Sequence, residues 1–141
     1  VELPGRFQIL PGQPRIILDV AHNPQAVSGL AANLDKAGGF NRTIAVVGML
    51  ADKDIAGALV ALRGKIDAWL LAGLDVPRGA SVEILAGIVT EANLGGSVER
   101  FASPLEAFAH AVKQAGDNDR ILVFGSFYTV AAVLREMKKR P

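Results

Sequence analysis

Hydrophobic residues follow two alternating patterns along the chain. Short continuous apolar runs are separated by longer segments in which apolar residues recur every three or four positions. The first pattern is typical of buried strands and the second of amphipathic helices. Because strands and helices alternate from residue 15 onward, we expect a parallel sheet covered by helices on both faces. The pattern predicts an α/β, Rossmann-like doubly wound fold with a mostly parallel sheet of about six strands.

The first two predicted strands differ from the others in how they are connected. Only the turn Pro11-Gly12-Gln13-Pro14 separates them, and a parallel crossover needs a much longer connection. We therefore expect this pair to be antiparallel, with the first strand at an edge or beside the second. The predicted strands cover residues 7–10, 15–19, 43–47, 67–71, 98–101 and 119–124.

Most of the predicted helices begin at a residue that can accept hydrogen bonds from free backbone N–H groups. Asn23, Ser81, Ser103 and Ser126 have this position, while the second helix follows Asp52-Lys53-Asp54. Ser103-Pro104-Leu105-Glu106 also matches a capping box with proline at the first helical position. The predicted apolar faces are Val27, Leu30, Ala31 and Leu34; Ile55, Leu59 and Leu62; Leu85, Ile88, Val89 and Ala92; Leu105, Phe108, Ala109 and Val112; and Val130, Val133, Leu134 and Met137.

Length and composition fit one globular domain. The chain has 141 residues, of which 50% are hydrophobic, enough to fill one core. We expect residues 1–141 to form a single domain, with residues 1–6 as the remnant of an interdomain linker. Because the chain begins at Val1 rather than Met, we expect it to be part of a longer protein. No apolar run approaches the roughly 18 residues of a membrane span, so no membrane partner is expected.

Net charge and cysteine content limit the classes of function that this chain can have. A net charge of +1 does not favour a nucleic-acid partner. The chain has no cysteine, which excludes disulfides and thiol catalysis and is consistent with a cytoplasmic location. Its two histidines, His22 and His110, lack metal-ligand spacing, so no metal site is predicted in this chain. Trp69 and the phenylalanines fall mostly in predicted strands or on helix faces and are interpreted as core.

Candidate site residues gather where the predicted strands end, the edge at which open α/β sheets bind ligands. Asp19, His22 and Asn23 follow one strand, and the next helix starts there, so the turn suits an anion. A purely structural alternative remains open, in which Asp19 only holds the turn and His22 is a surface residue. Other polar or glycine-rich segments at this edge are residues 48–54, Gly73, Asp75, Arg78, Ser103, Gly125, Ser126, Tyr128 and Thr129.

Sequence motifs exclude some chemistries and leave others open. The chain contains no GxGxxG dinucleotide motif, no GxxxxGK[ST] phosphate loop and no GxSxG hydrolase motif. Lys53 is either a solvated helix start or a charge that faces a substrate carboxylate or phosphate. Ser126 is a helix cap, a substrate contact, or both. Arg6 has no evident core role, and its guanidinium suits a phosphate or carboxylate.

Four motifs occur in order: Pro4-Gly5-Arg6, Leu18-Asp19-Val20-Ala21-His22-Asn23-Pro24, Gly48-Met49-Leu50-Ala51-Asp52-Lys53-Asp54 and Gly125-Ser126-Phe127-Tyr128-Thr129-Val130. In order and spacing they resemble folylpolyglutamate synthase/dihydrofolate synthase, specifically its C-terminal domain, which shares its fold with the Mur ligases. The resemblance covers essentially the whole chain. Tyr128 stands where relatives often have histidine, and it is assigned no role.

The resemblance implies an ATP-dependent ligase that joins L-glutamate to dihydropteroate or a folate through an acyl phosphate. It implies that Arg6, Asp19 and His22 bind ATP, that Asp19 and His22 are catalytic, and that Ser126 and His22 bind glutamate. It places the phosphate loop and the Mg²⁺ ligands in an N-terminal ATPase domain of the same chain. The isolated domain is then expected to be folded, monomeric and inactive.

Three other interpretations remain. The chain could be a stand-alone Rossmann-like nucleotide or anion-binding module, which would bind ATP or glutamate by itself. It could also belong to another Mur-type amino-acid ligase. A purely structural domain would need a large exposed apolar patch, whereas the predicted helices have single apolar faces that the core already requires.

Overall fold

Six short strands alternate with five helices in residues 6–139, the part of the chain that the computed structural model describes. The strands are β1 (Gln8–Leu10), β2 (Arg15–Asp19), β3 (Thr43–Val47), β4 (Ala68–Ala72), β5 (Ser97–Phe101) and β6 (Arg120–Phe124). The helices are α1 (Pro24–Lys36), α2 (Ile55–Val60), α3 (Val82–Ala92), α4 (Pro104–Gln114) and α5 (Phe127–Lys138). Of the predicted linker, only Arg6 lies within the described residues.

The strands form one sheet in the order β1-β2-β6-β3-β4-β5. β1 pairs with β2 in antiparallel fashion, and the other neighbours are parallel, which confirms the predicted fold class. The last strand in sequence, β6, lies between β2 and β3. Asp19 of β2 and Val47 of β3 both pair with Phe124 of β6. The carboxyl ends of these three strands are therefore level, and the segments that follow them meet at one edge.

The helices cover both faces of the sheet. Alternate strand residues point to opposite sides, so Ile17 and Phe124 pack under α1, α2 and α3, whereas Leu18 and Val123 pack under α4 and α5. These four side chains are at most 1% exposed. Burial of each such side chain contributes about 1.5–3 kcal/mol relative to exposure. The two apolar clusters pack on opposite faces of the sheet, beneath its carboxyl edge.

Apolar periodicity predicts the buried face of α1 correctly and that of α4 only in part. The buried residues of α1 are the predicted Val27, Leu30, Ala31 and Leu34. In α4 the buried face consists of Pro104, Ala107, Phe108 and Ala111. Leu105 is 41% exposed and Ala109 is exposed, so the prediction for these two residues is wrong. Small alanines face the sheet and let α4 pack closely, while the larger leucine lies outside.

The predicted helix starts are present with one difference in detail. The side chains of Asn23, Ser81, Ser103 and Ser126 each accept a hydrogen bond from the backbone N–H three residues later. Glu106 completes the N-terminus of α4 by accepting from the N–H of Ala102 rather than from that of Ser103. Across residues 6–139 no helix has the length and apolar character needed to cross a membrane.

Candidate functional site

Two adjoining cavities open at the carboxyl edge of β2, β6 and β3. The larger has a volume of about 460 Å³ and is lined by Arg6, Asp19 and the start of α1. The smaller has a volume of about 240 Å³ and is lined by Lys53 and the start of α5. His22 lines both cavities. The structure thus divides the predicted site residues between two spaces that meet at His22.

Asp19 organises the wall of the larger cavity. Its Oδ1 accepts a hydrogen bond from the N–H of Ala21 at 2.9 Å, and its Oδ2 accepts one from Phe7 at 3.2 Å. Phe7 has a φ of +41°, a conformation that is uncommon for residues other than glycine. The Phe7–Asp19 bond therefore helps to hold a strained backbone segment and to place the neighbouring Arg6 over the cavity.

The environment of Asp19 is less polar than that of a surface carboxylate. Burial raises the pKa of Asp19, while the N–H donors of Ala21 and Phe7 and the positive charge of Arg6 act in the opposite direction. A carboxylate oxygen can accept two hydrogen bonds, so each oxygen of Asp19 keeps one acceptor position for a ligand. Asp19 holds the turn, as the structural interpretation requires, and remains able to bind a hydroxyl group.

The imidazole of His22 is fixed by its own turn. Its Nδ1 lies 3.0 Å from the carbonyl oxygen of Val20. Because a carbonyl oxygen can only accept, Nδ1 carries a proton in this contact, and Nε2 of the neutral ring is left as an acceptor. The ring borders both cavities. Nε2 is thus the nitrogen left to interact with a ligand or to move a proton.

Ser126 has a structural role at the start of α5. Its Oγ accepts from the N–H of Thr129 at 3.1 Å and lies 2.9 Å from the hydroxyl of Thr129. Thr129 donates its only hydroxyl proton to the carbonyl of Gly48 at 2.9 Å, so Ser126 is the donor in the hydroxyl pair. Ser126 is only 3% exposed, yet it lines the smaller cavity. Its hydroxyl proton is used within the protein, and one lone pair remains for a ligand.

Two glycines allow the segments after β3 and β6 to approach each other. A Cβ on Gly48 would lie 2.6 Å from Oγ1 of Thr129, and one on Gly125 would lie 2.5 Å from the carbonyl oxygen of Gly48. Gly125 also has a φ of +118°. These contacts explain why both motifs carry glycine there. The close approach brings the loop after β3 beside the N-terminus of α5, where the first N–H groups of the helix lack intrahelical acceptors.

The loop at residues 48–54 forms a second wall of the smaller cavity. It is held by hydrogen bonds from the N–H of Ala51 to the carbonyl of Arg78 at 2.7 Å and from Ala80 to Met49 at 2.9 Å. An exposed ion pair between Asp52 and Arg78, 2.9 Å long, adds little, because exposed pairs contribute about 0–1 kcal/mol. Backbone pairing therefore fixes the loop that presents Lys53 to the cavity.

Phe127 and Tyr128 both line the smaller cavity; the sequence placed Tyr128 at this edge without a role, and it did not reveal Phe127. Phe127 is 71% exposed and Tyr128 is 48% exposed, and both line the smaller cavity together with Leu50 and Val20. Their rings contact each other edge to face, with centroids 6.4 Å apart. The interpretation of the phenylalanines as core is thus wrong for Phe127. The only signal that could have identified Phe127 as exposed is helical spacing, because the buried positions of α5 begin at Thr129.

Residues 6–139 contain no cluster of three or more His, Cys, Asp or Glu side chains that could hold a metal ion. His110 lies away from the two cavities, on α4. Its Nε2 is 3.1 Å from Oε2 of Glu99, and its ring packs 5.2 Å from that of Phe101. His110 therefore has a local structural explanation.

A family comparison covers most of the chain. Residues 5–127 match the family described as "Mur ligase, glutamate ligase domain". The matched range includes the predicted site residues Arg6, Asp19, His22 and Ser126 and ends one residue before Tyr128.

Curated relatives extend the match to nearly the whole chain. The dihydrofolate synthase/folylpolyglutamate synthase of Escherichia coli strain K12 is 43% identical over 138 residues, which is 98% of this chain and 31% of the relative. The chain thus spans about a third of the length of the curated relatives that it matches.

Solved structures of similar proteins share the fold and contain ligands. A structure of E. coli FolC in complex with DHPP and ADP has a TM-score of 0.90 at 42% identity, covering 98% of this chain and 32% of the other. A bifunctional folylpolyglutamate synthase/dihydrofolate synthase with Mn, AMPPNP and L-glutamate bound has a TM-score of 0.88 at 42% identity, with coverage of 97% and 32%.

Proposed function

The chain belongs to the glutamate ligase domain family of the Mur ligases, and we propose that it is the C-terminal domain of a longer folylpolyglutamate synthase/dihydrofolate synthase. In this proposal residues 1–141 are one domain that closes over an N-terminal ATPase domain of the same chain. The complete enzyme is an ATP-dependent ligase that joins L-glutamate to dihydropteroate or a folate. A cytoplasmic location and a monomeric state remain predictions.

The observation that carries the proposal is the position of His22 between the two cavities. A ligase of this type brings together an activated carboxylate and an amine, so it needs a nucleotide site and an amino-acid site that meet. The larger cavity has the groups that suit a nucleotide, namely the Arg6 cation and the Asp19 acceptor. The smaller cavity, with Ser126 at its wall, suits an amino acid.

The proposed reaction has two steps. The acceptor carboxylate takes the γ-phosphoryl group of ATP, which releases ADP, and the glutamate amine then displaces phosphate from the acyl phosphate to form the amide. Arg6 supplies positive charge to the phosphates, and Asp19 accepts hydrogen bonds from ribose hydroxyls. We assign to His22 Nε2 an interaction with the reacting groups at the junction of the cavities. Domain closure would keep water from the acyl phosphate.

The Mg²⁺ that such phosphoryl transfer requires is proposed to be bound by the N-terminal domain, outside residues 1–141. The described residues 6–139 provide no set of three ligands for it. We therefore assign the metal ligands to the N-terminal domain and assign no metal role to Asp19 or His22. In this proposal residues 1–141 contribute positive charge, hydrogen-bond acceptors and an imidazole to a site that the N-terminal domain completes.

Substitutions in the full-length enzyme test the proposal. We expect His22→Ala to lower kcat by about 10²–10⁴-fold, the range of a lost acid–base or charge-stabilising group. We expect Asp19→Ala to raise the KM for ATP and to lower kcat. ATP-dependent glutamate addition to dihydropteroate and to a reduced folate is measured with purified enzyme. His110→Ala is the matched control and should leave turnover unchanged. Near-normal turnover of His22→Ala would contradict the assigned role.

A further inference from the structure

Two adjacent aromatic rings lie at the mouth of the smaller cavity. Phe127 is 71% exposed and yet lines the cavity, so its ring borders the opening. Tyr128 is 48% exposed, and the two rings meet edge to face with centroids 6.4 Å apart. A single exposed apolar side chain is ordinary at a protein surface. Two neighbouring rings at a cavity mouth, however, present an aromatic surface to a ligand that enters.

Apolar side chains continue from these rings to the junction of the two cavities. Val20 and Leu50 line the smaller cavity together with both rings, and we call these four residues the apolar wall. Val20 also lines the larger cavity, and its carbonyl oxygen lies 3.0 Å from Nδ1 of His22. Because the buried positions of α5 begin at Thr129, the core does not use either ring. The apolar wall is therefore available to a ligand beside His22.

The proposed reaction determines where the reacting carboxylate of the acceptor lies. This carboxylate takes a phosphoryl group from the nucleotide assigned to the larger cavity, and an amine assigned to the smaller cavity then attacks it. It must therefore lie where the cavities meet, beside His22. In dihydropteroate the carboxylate is bonded directly to a benzene ring, so that ring also lies next to the junction. In a folate the same ring is one glutamate residue farther from the reacting carboxylate.

The apolar wall suits a benzene ring better than the other side of the junction does. Asp19 and Asn23 line the larger cavity there. A benzene ring on these polar side chains would exclude water without offering hydrogen bonds, which costs free energy. Phe127 offers a ring instead, and aromatic rings attract each other in edge-to-face and offset-stacked arrangements. Such a contact would also remove the exposed surface of Phe127 from water.

We propose that Phe127 packs against the benzene ring of dihydropteroate at the mouth of the smaller cavity and thereby favours this acceptor over folates. This inference rests on the proposed function and assigns Phe127 to acceptor specificity. Because the reaction joins the acceptor to glutamate, both substrates must meet in this cavity. Phe127 acts on the acceptor alone, since an aliphatic amino acid has no ring to stack.

Competition between two acceptors tests the assignment in the full-length enzyme. Dihydropteroate and tetrahydrofolate, supplied together, give products in proportion to their kcat/KM values. We expect Phe127→Ala to lower the ratio of dihydropteroate product to tetrahydrofolate product by about 5- to 20-fold, the size of a lost aromatic contact. Phe127→Tyr keeps the ring and should retain most of the wild-type ratio. The KM values for ATP and L-glutamate should change little in either variant.

A matched control is an exposed apolar side chain elsewhere on the surface. Ile84 is 49% exposed on α3 and lines neither cavity, so Ile84→Ala should have the wild-type product ratio. Thermal unfolding shows whether each variant is folded, and the exposure of Phe127 predicts only a small change. Phe127→Leu is a second test variant. It keeps apolar bulk without a ring and should change the ratio in the same direction but less.

The outcomes separate this inference from the proposed function. An unchanged product ratio in Phe127→Ala would overturn the inference, including the case of an equal loss with both acceptors, which indicates contact with the N-terminal domain. A selective rise in the KM for ATP would also overturn it, since the ring would then pack on adenine. A wild-type enzyme that uses tetrahydrofolate but not dihydropteroate overturns only the Phe127 assignment. A wild-type enzyme that adds glutamate to neither acceptor overturns the proposed function as well.

Discussion

At the scale of single residues, the candidate site residues combine a structural role with hydrogen-bonding capacity that is left for a ligand. Asp19 holds the backbone of Phe7 and Ala21, and Ser126 caps α5 while its hydroxyl pairs with Thr129. Each keeps acceptor capacity that the protein does not use. The choice between a structural and a functional interpretation, open from the sequence, is therefore not exclusive. A substitution at either residue is therefore expected to change stability as well as the proposed ligand binding, and the two effects must be measured separately.

The raised pKa of Asp19 predicts a pH-dependent stability. A carboxyl whose pKa is higher in the folded state stabilises the fold only while protonated, and that contribution is lost as pH rises through the folded pKa. The Asn side chain stays neutral at every pH, so Asp19→Asn does not lose this contribution. As pH rises from below about 3.9, the ordinary aspartate pKa, toward neutral, the free energy of unfolding of Asp19→Asn should increase relative to that of wild type. Urea unfolding across this range measures the difference.

A control variant separates this effect from the general effect of removing a carboxylate. Asp75→Asn removes an exposed carboxylate from the loop after β4. Since Asn at position 19 can accept only with its carbonyl oxygen, the variant also loses part of the hydrogen bonding to Phe7 and Ala21, as a constant offset. A free energy of unfolding of Asp19→Asn that falls relative to that of wild type as pH rises would contradict the prediction.

Thr129→Val should destabilise the protein by about 1–3 kcal/mol, because it leaves buried hydrogen-bonding groups without partners. Thr129 is 0% exposed, and its hydroxyl serves both Gly48 and Ser126. Valine fills the same space without these bonds. Denaturant unfolding gives the change in free energy, and Thr90→Val, at an exposed position in α3, is the control. Equal stability of the two variants would show that the buried hydroxyl contributes nothing.

At the scale of secondary-structure elements, α1 is anchored at both ends. Asn23 caps its N-terminus at the candidate site. At the other end Arg120 of β6 donates to the carbonyls of Leu34 and Ala37 at 3.0 and 2.8 Å and to the Thr43 hydroxyl at 2.7 Å. Arg120 is 8% exposed and lies over the ring of Phe40. One buried cation thus links the end of α1 to β3 and β6.

Arg120→Met should cost about 2–4 kcal/mol of unfolding free energy, because several buried acceptors lose their donor at once. Arg63 offers a matched control. It donates to the last carbonyl of α3, that of Ala92, at 2.8 Å but is exposed, so water can replace it. Arg63→Met should therefore cost at most about 1 kcal/mol. Chemical denaturation of both variants gives the comparison, and similar losses would contradict the importance of burial.

At the scale of the whole molecule, the sheet order creates the candidate site. Insertion of β6 between β2 and β3 brings together residues separated by about a hundred positions in the chain, such as His22 and Ser126. Two helices then start at the same edge, and the glycines of the loops after β3 and β6 let their backbones touch. The edge provides cations, acceptors and an imidazole, while the described residues provide no phosphate loop and no metal cluster.

This arrangement predicts that the 141-residue chain by itself is folded but inactive. Single domains under 150 residues usually unfold in one cooperative transition, which circular dichroism can follow. We expect no ATP-dependent glutamate addition by the chain alone, and ATP binding weaker than about 1 mM by calorimetry. The full-length enzyme is the positive control. Turnover or micromolar ATP binding by the chain alone would favour a stand-alone nucleotide-binding module.

Much of this architecture followed from local patterns. Strand and helix positions, the antiparallel first pair and the four serine or asparagine caps depend on neighbouring residues, and they agree with the structure. The buried face of α4 was harder to predict, because Ala107 and Leu105 differ in size more than in polarity. Close packing against the sheet decides which of the two is buried. Phe127 was missed for a similar reason, since apolar composition does not say which side of a helix the core requires.

By itself the sequence determined the alternation of elements, their caps and the motifs that place Asp19, His22 and Ser126 at one edge. These features are local, because hydrogen bonding and periodicity act within a few residues. Only the tertiary structure decided that His22 borders two cavities and that Ser126 donates its hydroxyl proton to Thr129. It also decided that Lys53 lines the smaller cavity while Asp52 pairs with Arg78 and Asp54 caps α2. Those properties depend on contacts between segments far apart in the chain, and no local pattern encodes them.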